Sequence, residues 1–546
     1  MEDSASLVRR FAEKDAQRTE EIQWLKDRLD IGLNTIALQI EEIQNLKDEI
    51  AVLKGTTPRP KIPPSTLEGA KSKDKQNKKG KPSRGKHPRH KKTRHLEIHT
   101  KKRVKPASIP EGAIFKGYQK FTVQDIVLRP HNTVYELERW QLAGGTYLTG
   151  QLPTNIRGHY GPQLTSYILH QYYGCRVTEP LLFAQLKEIG ILISKGQLSN
   201  ILIQGNQDFH QEKDELLSAA IAATSQIKVD DTGARHLGEN GYSTIIGNEY
   251  FTYIVTTKSK SRINFLKILH RANPRYLINE DAASYIETLK PSNWLKEFLL
   301  LQSQTWKGRA RSMNQLEWEK FLLHKNIHCA QDVKLMTEAA LFASLIENGI
   351  PKDLGVHGDD AGQFNIFVRS LCWIHEERHY RKFIPFDETA RQEIEQIREE
   401  LWNLYKGLKE YKIAPSESLK AILDKRFDDL FLRKKTTSPT LNKRLSNTYK
   451  KKDELLRVLE RPETPLHNNG TETDAREMVV KRKISGGTRS EEEQRCRDTF
   501  VSLKKTCSKL KLSFLGYLKD RANGFDEIPR LKQIILAHSV RQPNGP

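Results

Sequence analysis

The chain has 546 residues, 37% of them hydrophobic, and a formal net charge of +22, enough for three or four structural units. It contains no run of 18 apolar residues, and its first stretch, MEDSASLVRRFAEKD, lacks an apolar signal core, which argues against a membrane span or secretion and for the cytoplasm. Five scattered cysteines (Cys175, Cys329, Cys372, Cys496, Cys507) with no CxxC pair argue against a disulfide framework or a zinc ribbon.

The first predicted element is a helix with a heptad repeat. With Ile22 at position a, the a and d sites are Ile22, Leu25, Leu29, Gly32, Ile36, Gln39, Ile43, Leu46, Ile50 and Leu53, eight of the ten apolar. This pattern predicts a coiled coil over residues 1–55 and a homodimer or higher homo-oligomer, with a monomeric amphipathic helix as the alternative. From Thr56 to Lys105 there follow 18 Lys or Arg against three acids, interspersed with Pro, Gly and Ser. Such a segment (56–110) cannot bury enough apolar surface to order itself, and it suits a polyanion; a solvated spacer is the other reading.

Residues 111–155 hold FKGYQKFTVQDIVLRPHNTVYELERWQL, which predicts two or three short strands and carries no recognisable chemistry. Within 156–222, a helix from about Glu179 should end at Gly190, and Ser194 should cap a second helix running through Gln197, Leu198 and Leu202. This is helix-turn-helix spacing. It would present Lys195, Gln197 and Asn200 to a DNA groove, although helical hairpins that bind nothing have the same pattern.

The segment Ile227 to Thr257, IKVDDTGARHLGENGYSTIIGNEYFTYIVTT, reads as three strands, with Asp230 and Asp231 at the end of the first apolar run, and SRINFLKILHR continues it as a helix. That order is the opening of a ribonuclease H-like α/β sheet. Taken alone, an Asp pair at a strand end is most simply a turn. Two further acids change its weight: Asp359 and Asp360 end the short apolar segment Leu354 to Gly358, and Glu472 opens a helical segment carrying Arg476, Lys481 and Lys483. Three carboxylates from separate elements could hold two divalent cations about 4 Å apart, the arrangement that clamps the entering and leaving oxygens of a phosphodiester.

These landmarks resemble the DDE transposases of bacterial insertion sequences, specifically the Insertion Sequence 66 family. Tyr160, Gly161 and Pro162 match its YGP entry, VDDT stands at its ADET-like motif, DDAGQF at its DGYAGF-like motif, CWIH at its CWAH-like motif, and Asn468, Asn469 and Glu472 at its NNxxE motif. The resemblance covers most of the chain and selects Asp230 over Asp231 and Asp359 over Asp360. It implies a ribonuclease H-like core (223–375 and 466–515) interrupted by a helical insertion (376–465), with a C-terminal tail (516–546). The chain departs from the family in three respects. Phe115 to Gln151 contain none of the four zinc-ribbon cysteines, Glu376 and Glu377 replace small or basic residues, and Thr473 follows Glu472.

Cys372 and His375 are two ligands short of a zinc site, so a structural role is predicted, with Cys372 packed in a strand and His375 bonded near the acids. The resemblance further implies that Asp230, Asp359 and Glu472 bind two Mg2+ ions, with Mn2+ as a substitute. It implies cleavage of element ends and joining to target DNA without a covalent protein intermediate. Arg476, Lys481 and Lys483 would hold DNA phosphates unless they form only a solvated helix face. Accessory proteins of the same element and association with the nucleoid are implied partners and place. The rival reading is a catalytically silent remnant acting as a DNA-binding repressor. Retention of all three acids favours the enzyme.

Overall fold

The computed structural model describes residues 97–156, 158–271, 273–289, 291–305, 312–385 and 387–540. The heptad and most of the basic stretch lie outside the described residues. The chain divides into two units, 1–124 and 125–546. In the first, residues 97–124 form no helix or strand, and Arg103 lies 5.4 Å above the Tyr118 ring.

Of the two or three strands expected between Phe115 and Leu142 only a three-residue one at its end forms, and residues 115–138 have no regular structure. A strand requires a hydrogen-bonding partner, and pairing begins only at β1 (Arg139–Gln141) and β2 (Tyr147–Thr149), which form a short antiparallel hairpin. Alternating apolar residues upstream are exposed instead.

Four helices follow: α1 (Pro162–Leu169), α2 (Glu179–Ile189), α3 (Lys195–Ile203) and α4 (Gln207–Ala223). The left-handed backbone of Gly190, φ 89°, closes α2, and the Ser194 side chain accepts the Gln197 amide to open α3. Leu182, Leu186, Leu198 and Leu202 bury the inner faces of this pair.

A five-stranded mixed sheet forms the centre. β3 (Gln226–His236), β4 (Glu239–Gly247) and β5 (Thr252–Thr257) make an antiparallel meander. β6 (Gly355–Gly358) and β7 (Val368–Leu371) then run parallel to β3 on its other side, giving the order β5-β4-β3-β6-β7. The long crossover from β5 to β6 contains α5 (Arg262–Leu269), α6 (Glu280–Glu287), α7 (Asn293–Thr305), α8 (Gln315–His324) and α9 (Ala330–Glu347). Ile227, Val229 and Ile246 on one sheet face join the core built with these helices.

After β7 the chain becomes helical: α10 (Trp373–Arg381), α11 (Glu388–Ile413), α12 (Glu417–Asp428), α13 (Pro439–Tyr449) and the short α14 (Lys452–Leu455). In α11, Ile394, Ile397, Leu401, Leu404, Leu408 and Tyr411 recur at helical spacing and build a second core with Phe427, Leu441 and Leu455. The fully buried Trp373 indole donates to the Leu455 carbonyl at 2.9 Å, fixing this core to the end of β7. The chain then returns to the sheet with α15 (Asn469–Ser485) and α16 (Glu491–Lys509), followed by α17 (Phe514–Asn523) and α18 (Leu531–Val540). Ala475, Met478 and Val501 of α15 and α16 pack on Ile245 and Ile254 across the second sheet face. No helix among the described residues is long and apolar enough to cross a membrane.

Cys372 is not a strand residue as expected. It is the N-cap of α10. β6 offers pairing only to Gly358, so the last link is the Cys372 amide to the Gly358 carbonyl at 2.9 Å, and the Cys372 carbonyl already accepts the Glu376 amide of the helix.

Candidate active site

Strand alternation separates the two adjacent acids of β3. Asp230 lies opposite Ile245, on the face covered by α15 and α16, whereas Asp231 lies opposite Thr244 on the other face. The parallel register, with Lys228 beside His357, brings Asp359 just past the end of β6 alongside Asp230. A Cβ on Gly358 would stand 2.9 Å from Val229 Cγ2 and 3.1 Å from the Val229 carbonyl, so the approach of these strands next to the acids depends on glycine. Asp359 Oδ1 accepts the Ala361 amide at 3.1 Å, and Asp230 Oδ1 accepts the Asp231 amide at 2.9 Å.

Glu472 lies in the first turn of α15, whose N-cap is Asn468. The Asn468 side chain is fully buried and its Nδ2 donates to the Val229 carbonyl at 2.8 Å, attaching the start of the helix to the strand one residue before Asp230. From α10, Arg378 donates to Glu472 Oε2 at 3.0 Å and to His375 Nε2 at 3.1 Å. His375 Nε2 lies 3.4 Å from Glu472 Oε1. Glu472 Oε1, His375 Nδ1 and Asn468 Oδ1 are buried without a hydrogen-bond partner.

The acids sense one another. Burial raises the Asp230 carboxyl to about 7, opposed by the Asp231 amide and reinforced by the charges of Asp359, Glu472 and Asp231. Burial also pushes Glu472 upward, but the Arg378 hydrogen bond and charge, with His375 and Arg476, outweigh it and hold this carboxyl below its ordinary value. Burial lowers His375 against the opposing pull of Glu472, and burial raises the Cys372 thiol.

Among the described residues no three His, Cys, Asp or Glu side chains are gathered in a metal-holding cluster. Glu472 is turned to Arg378 instead. The donor set nevertheless suits a hard divalent cation. It comprises three carboxylates, from the middle of β3, the residue just past the end of β6 and the first turn of α15, one with an unpartnered buried oxygen, and mutual repulsion that a cation would relieve.

The adjacent acids are occupied elsewhere. Asp231 Oδ1 accepts the Thr244 hydroxyl at 2.6 Å and Oδ2 accepts the Gln363 amide at 2.7 Å. Asp360 pairs with Arg369 at 2.9 Å and with Lys451 at the start of α14. Glu376 and Glu377 are buried structural anchors, the first held by Arg444 and Thr448, the second accepting from Arg398 at 2.7 Å. Sequence alone does not single out the Asn468 clamp, Arg378 or Gln363. Asn468 stood in the NNxxE match, and Arg378 could have been found one helical turn after His375 in CWIHEER.

Lys195, Gln197 and Asn200 are all exposed on α3, with Lys195 Nζ 5.8 Å from the Phe183 ring. Arg476 and Lys483 are exposed on α15, one heptad apart on one helix face. Lys481 differs from expectation. It is buried, donates to the Tyr172 carbonyl at 3.0 Å and stands 3.5 Å over the Tyr172 ring, so it faces the protein interior and not a DNA backbone. The helical period separates it from Arg476 and Lys483 and turns it toward the buried tyrosines.

A family model described as "Transposase IS66 family" matches residues 362–495, a span that includes Cys372, His375, Arg378, Asn468 and Glu472. The chain is also 39% identical over 308 residues to a Sinorhizobium fredii (strain NBRC 101917 / NGR234) protein described as uncharacterized protein y4jO, covering 56% of this chain and 94% of that protein. With its acid in the middle of β3, its acid just past β6, its helix-borne glutamate and these two matches, the chain belongs to the IS66 transposase family.

Proposed function

We propose that the chain is a transposase that binds the ends of an insertion sequence and catalyses metal-dependent cleavage and joining of DNA strands. The observation that carries this reading is the electrostatic convergence of Asp230, Asp359 and Glu472 from β3, the end of β6 and the first turn of α15. The strand order β5-β4-β3-β6-β7, with a meander followed by two parallel strands, supports a ribonuclease H-like core.

In this reading Asp230, Asp359 and Glu472 hold two Mg2+ ions. When bound, these ions would polarise the scissile phosphate and stabilise the negative charge on the entering and leaving oxygens. The chain's own residues do the placing. Asn468 sets Glu472 against the strand bearing Asp230, and Gly358 lets β6 deliver Asp359 beside it. Arg476 and Lys483 would meet backbone phosphates, and α3 would read the element end through Lys195, Gln197 and Asn200. Water serves as nucleophile in the first step. The 3′-hydroxyl it leaves serves in the second, so no protein nucleophile is required.

The test is incubation of the full chain with its flanking terminal repeats and Mg2+, scored for nicked and joined strands. Asp230→Asn, Asp359→Asn and Glu472→Gln should each abolish both products while retaining end binding without metal. Full activity in any one of the three would overturn the assignment. Specific end binding by a wild-type protein that never nicks would instead support the silent DNA-binding repressor.

A further inference from the structure

Glu472 is held in a way that bears on how the site fills. Its Oε2 accepts from Arg378 at 3.0 Å, and the same guanidinium donates to His375 Nε2 at 3.1 Å. A ring nitrogen that accepts from arginine carries no proton, so the His375 proton belongs on Nδ1. Nε2 then has nothing to offer Glu472 Oε1 at 3.4 Å, which accounts for that oxygen being buried without a hydrogen-bond partner. Glu472 is thus neutralised on one oxygen by an internal cation and left open on the other. The Arg378 side chain is 32% exposed and the Glu472 side chain 14%, so the guanidinium has a route to solvent that the carboxylate lacks.

We propose that Arg378 is a resident counter-ion for Glu472, competing with the divalent cation for this carboxylate and setting how readily the site loads. The proposal rests on the reading of Asp230, Asp359 and Glu472 as the cation site. A cation drawing Glu472 toward the aspartates must break the Arg378 pair and would repel the guanidinium. Arg378 would then swing to the solvent side, where a DNA phosphate can take over its charge. An unloaded site is protected from three unopposed acids, and Arg378 becomes a positioning residue that acts through Glu472.

The experiment is calorimetric titration of the full-length protein with Mn2+ in the absence of DNA. Arg378→Gln should bind Mn2+ about three- to tenfold more tightly than wild type, the scale of one partly exposed charge pair at about 1.4 kcal/mol per tenfold. Arg378→Lys, which keeps the charge, should remain near wild type. In chelator, Arg378→Gln should melt below wild type, and adding Glu472→Gln to it should recover part of the loss, because the uncompensated buried charge is removed. That recovery also distinguishes a folded variant from a misfolded one. Unchanged or weaker Mn2+ binding by Arg378→Gln would overturn the counter-ion role. Glu472→Gln with wild-type Mn2+ affinity would overturn the cation site itself, so the two failures are distinct.

Discussion

The Asn468 side-chain amide donates to the Val229 carbonyl at 2.8 Å, joining the residue before Asp230 to the N-cap of the helix that carries Glu472. Two acids about 240 positions apart in sequence are thereby placed by one hydrogen bond. Asn468→Ala should cost about 1–3 kcal/mol of stability, the range for removing one partner of a buried hydrogen bond. Strand cleavage should fall further, about tenfold or more, because an error of an ångström in a catalytic group is felt strongly. Cleavage assays on samples matched for folded fraction check this. Activity that fell only with the folded fraction would reduce the contact to packing.

Lys481 gives the site's surroundings a pH signature. Burial lowers its ammonium from 10.5 to about 7, reinforced by Arg497. Between about 7 and 10.5 the unfolded chain keeps a proton that the folded chain has released, so stability should rise with pH across that window. Below about 7 both states are protonated and the penalty is present in full. Lys481→Met removes the ionisation, so its melting temperature relative to wild type should fall as pH rises from 7 to 10. A constant difference across this range would mean that Lys481 keeps an ordinary proton affinity in the folded protein.

The same residue separates interior charge from the charge proposed to face DNA. Arg476→Gln and Lys483→Gln should each flatten the slope of log affinity against log salt for terminal DNA by about one unit, as one phosphate contact is lost. Lys481→Met should leave that slope unchanged. Lys195→Gln should also flatten it, whereas Gln197→Ala and Asn200→Ala should reduce discrimination between the element end and unrelated duplex at an unaltered slope. Fluorescence anisotropy at several salt concentrations measures each effect.

What could be read from the sequence follows the range of the interactions involved. The capped pair α2 and α3 was legible because its signals, Gly190 and Ser194, act within one turn of the residues they control. The β3-β4-β5 meander was legible from alternation and short turns. The sequence misplaces Lys481 because its surroundings come from Tyr172, some three hundred residues earlier, and no local pattern reports such a neighbour. The strands expected near Phe115 failed for the converse reason: local alternation was present and the pairing partner was not. Arg378 is not legible locally because an arginine in a run of charges reads as solvated until Glu472, 94 positions away, stands against it.

The assignment of Asp230 over Asp231, and of Asp359 over Asp360, makes a sharp prediction about the neighbours. Both Asp231 oxygens are already engaged, by the Thr244 hydroxyl at 2.6 Å and the Gln363 amide at 2.7 Å. In Asp231→Asn the new amide group can face Thr244, whose hydroxyl turns to accept, while the remaining oxygen still accepts from Gln363. Asp231→Asn should therefore fold and cleave measurably, whereas Asp231→Ala leaves the Gln363 amide unpaired at a cost of about 1–3 kcal/mol. Asp360 is 40% exposed on its side chain, but its partners Arg369 and Lys451 are only 11% and 18% exposed, so Asp360→Asn should melt somewhat below wild type while cleaving measurably. Cleavage in Mg2+, measured for Asp230→Asn, Asp231→Asn, Asp359→Asn and Asp360→Asn side by side, decides the matter. An inactive Asp231→Asn beside an active Asp230→Asn would move the first metal position by one residue and to the other face of the sheet. An inactive Asp360→Asn beside an active Asp359→Asn would move the second metal position by one residue.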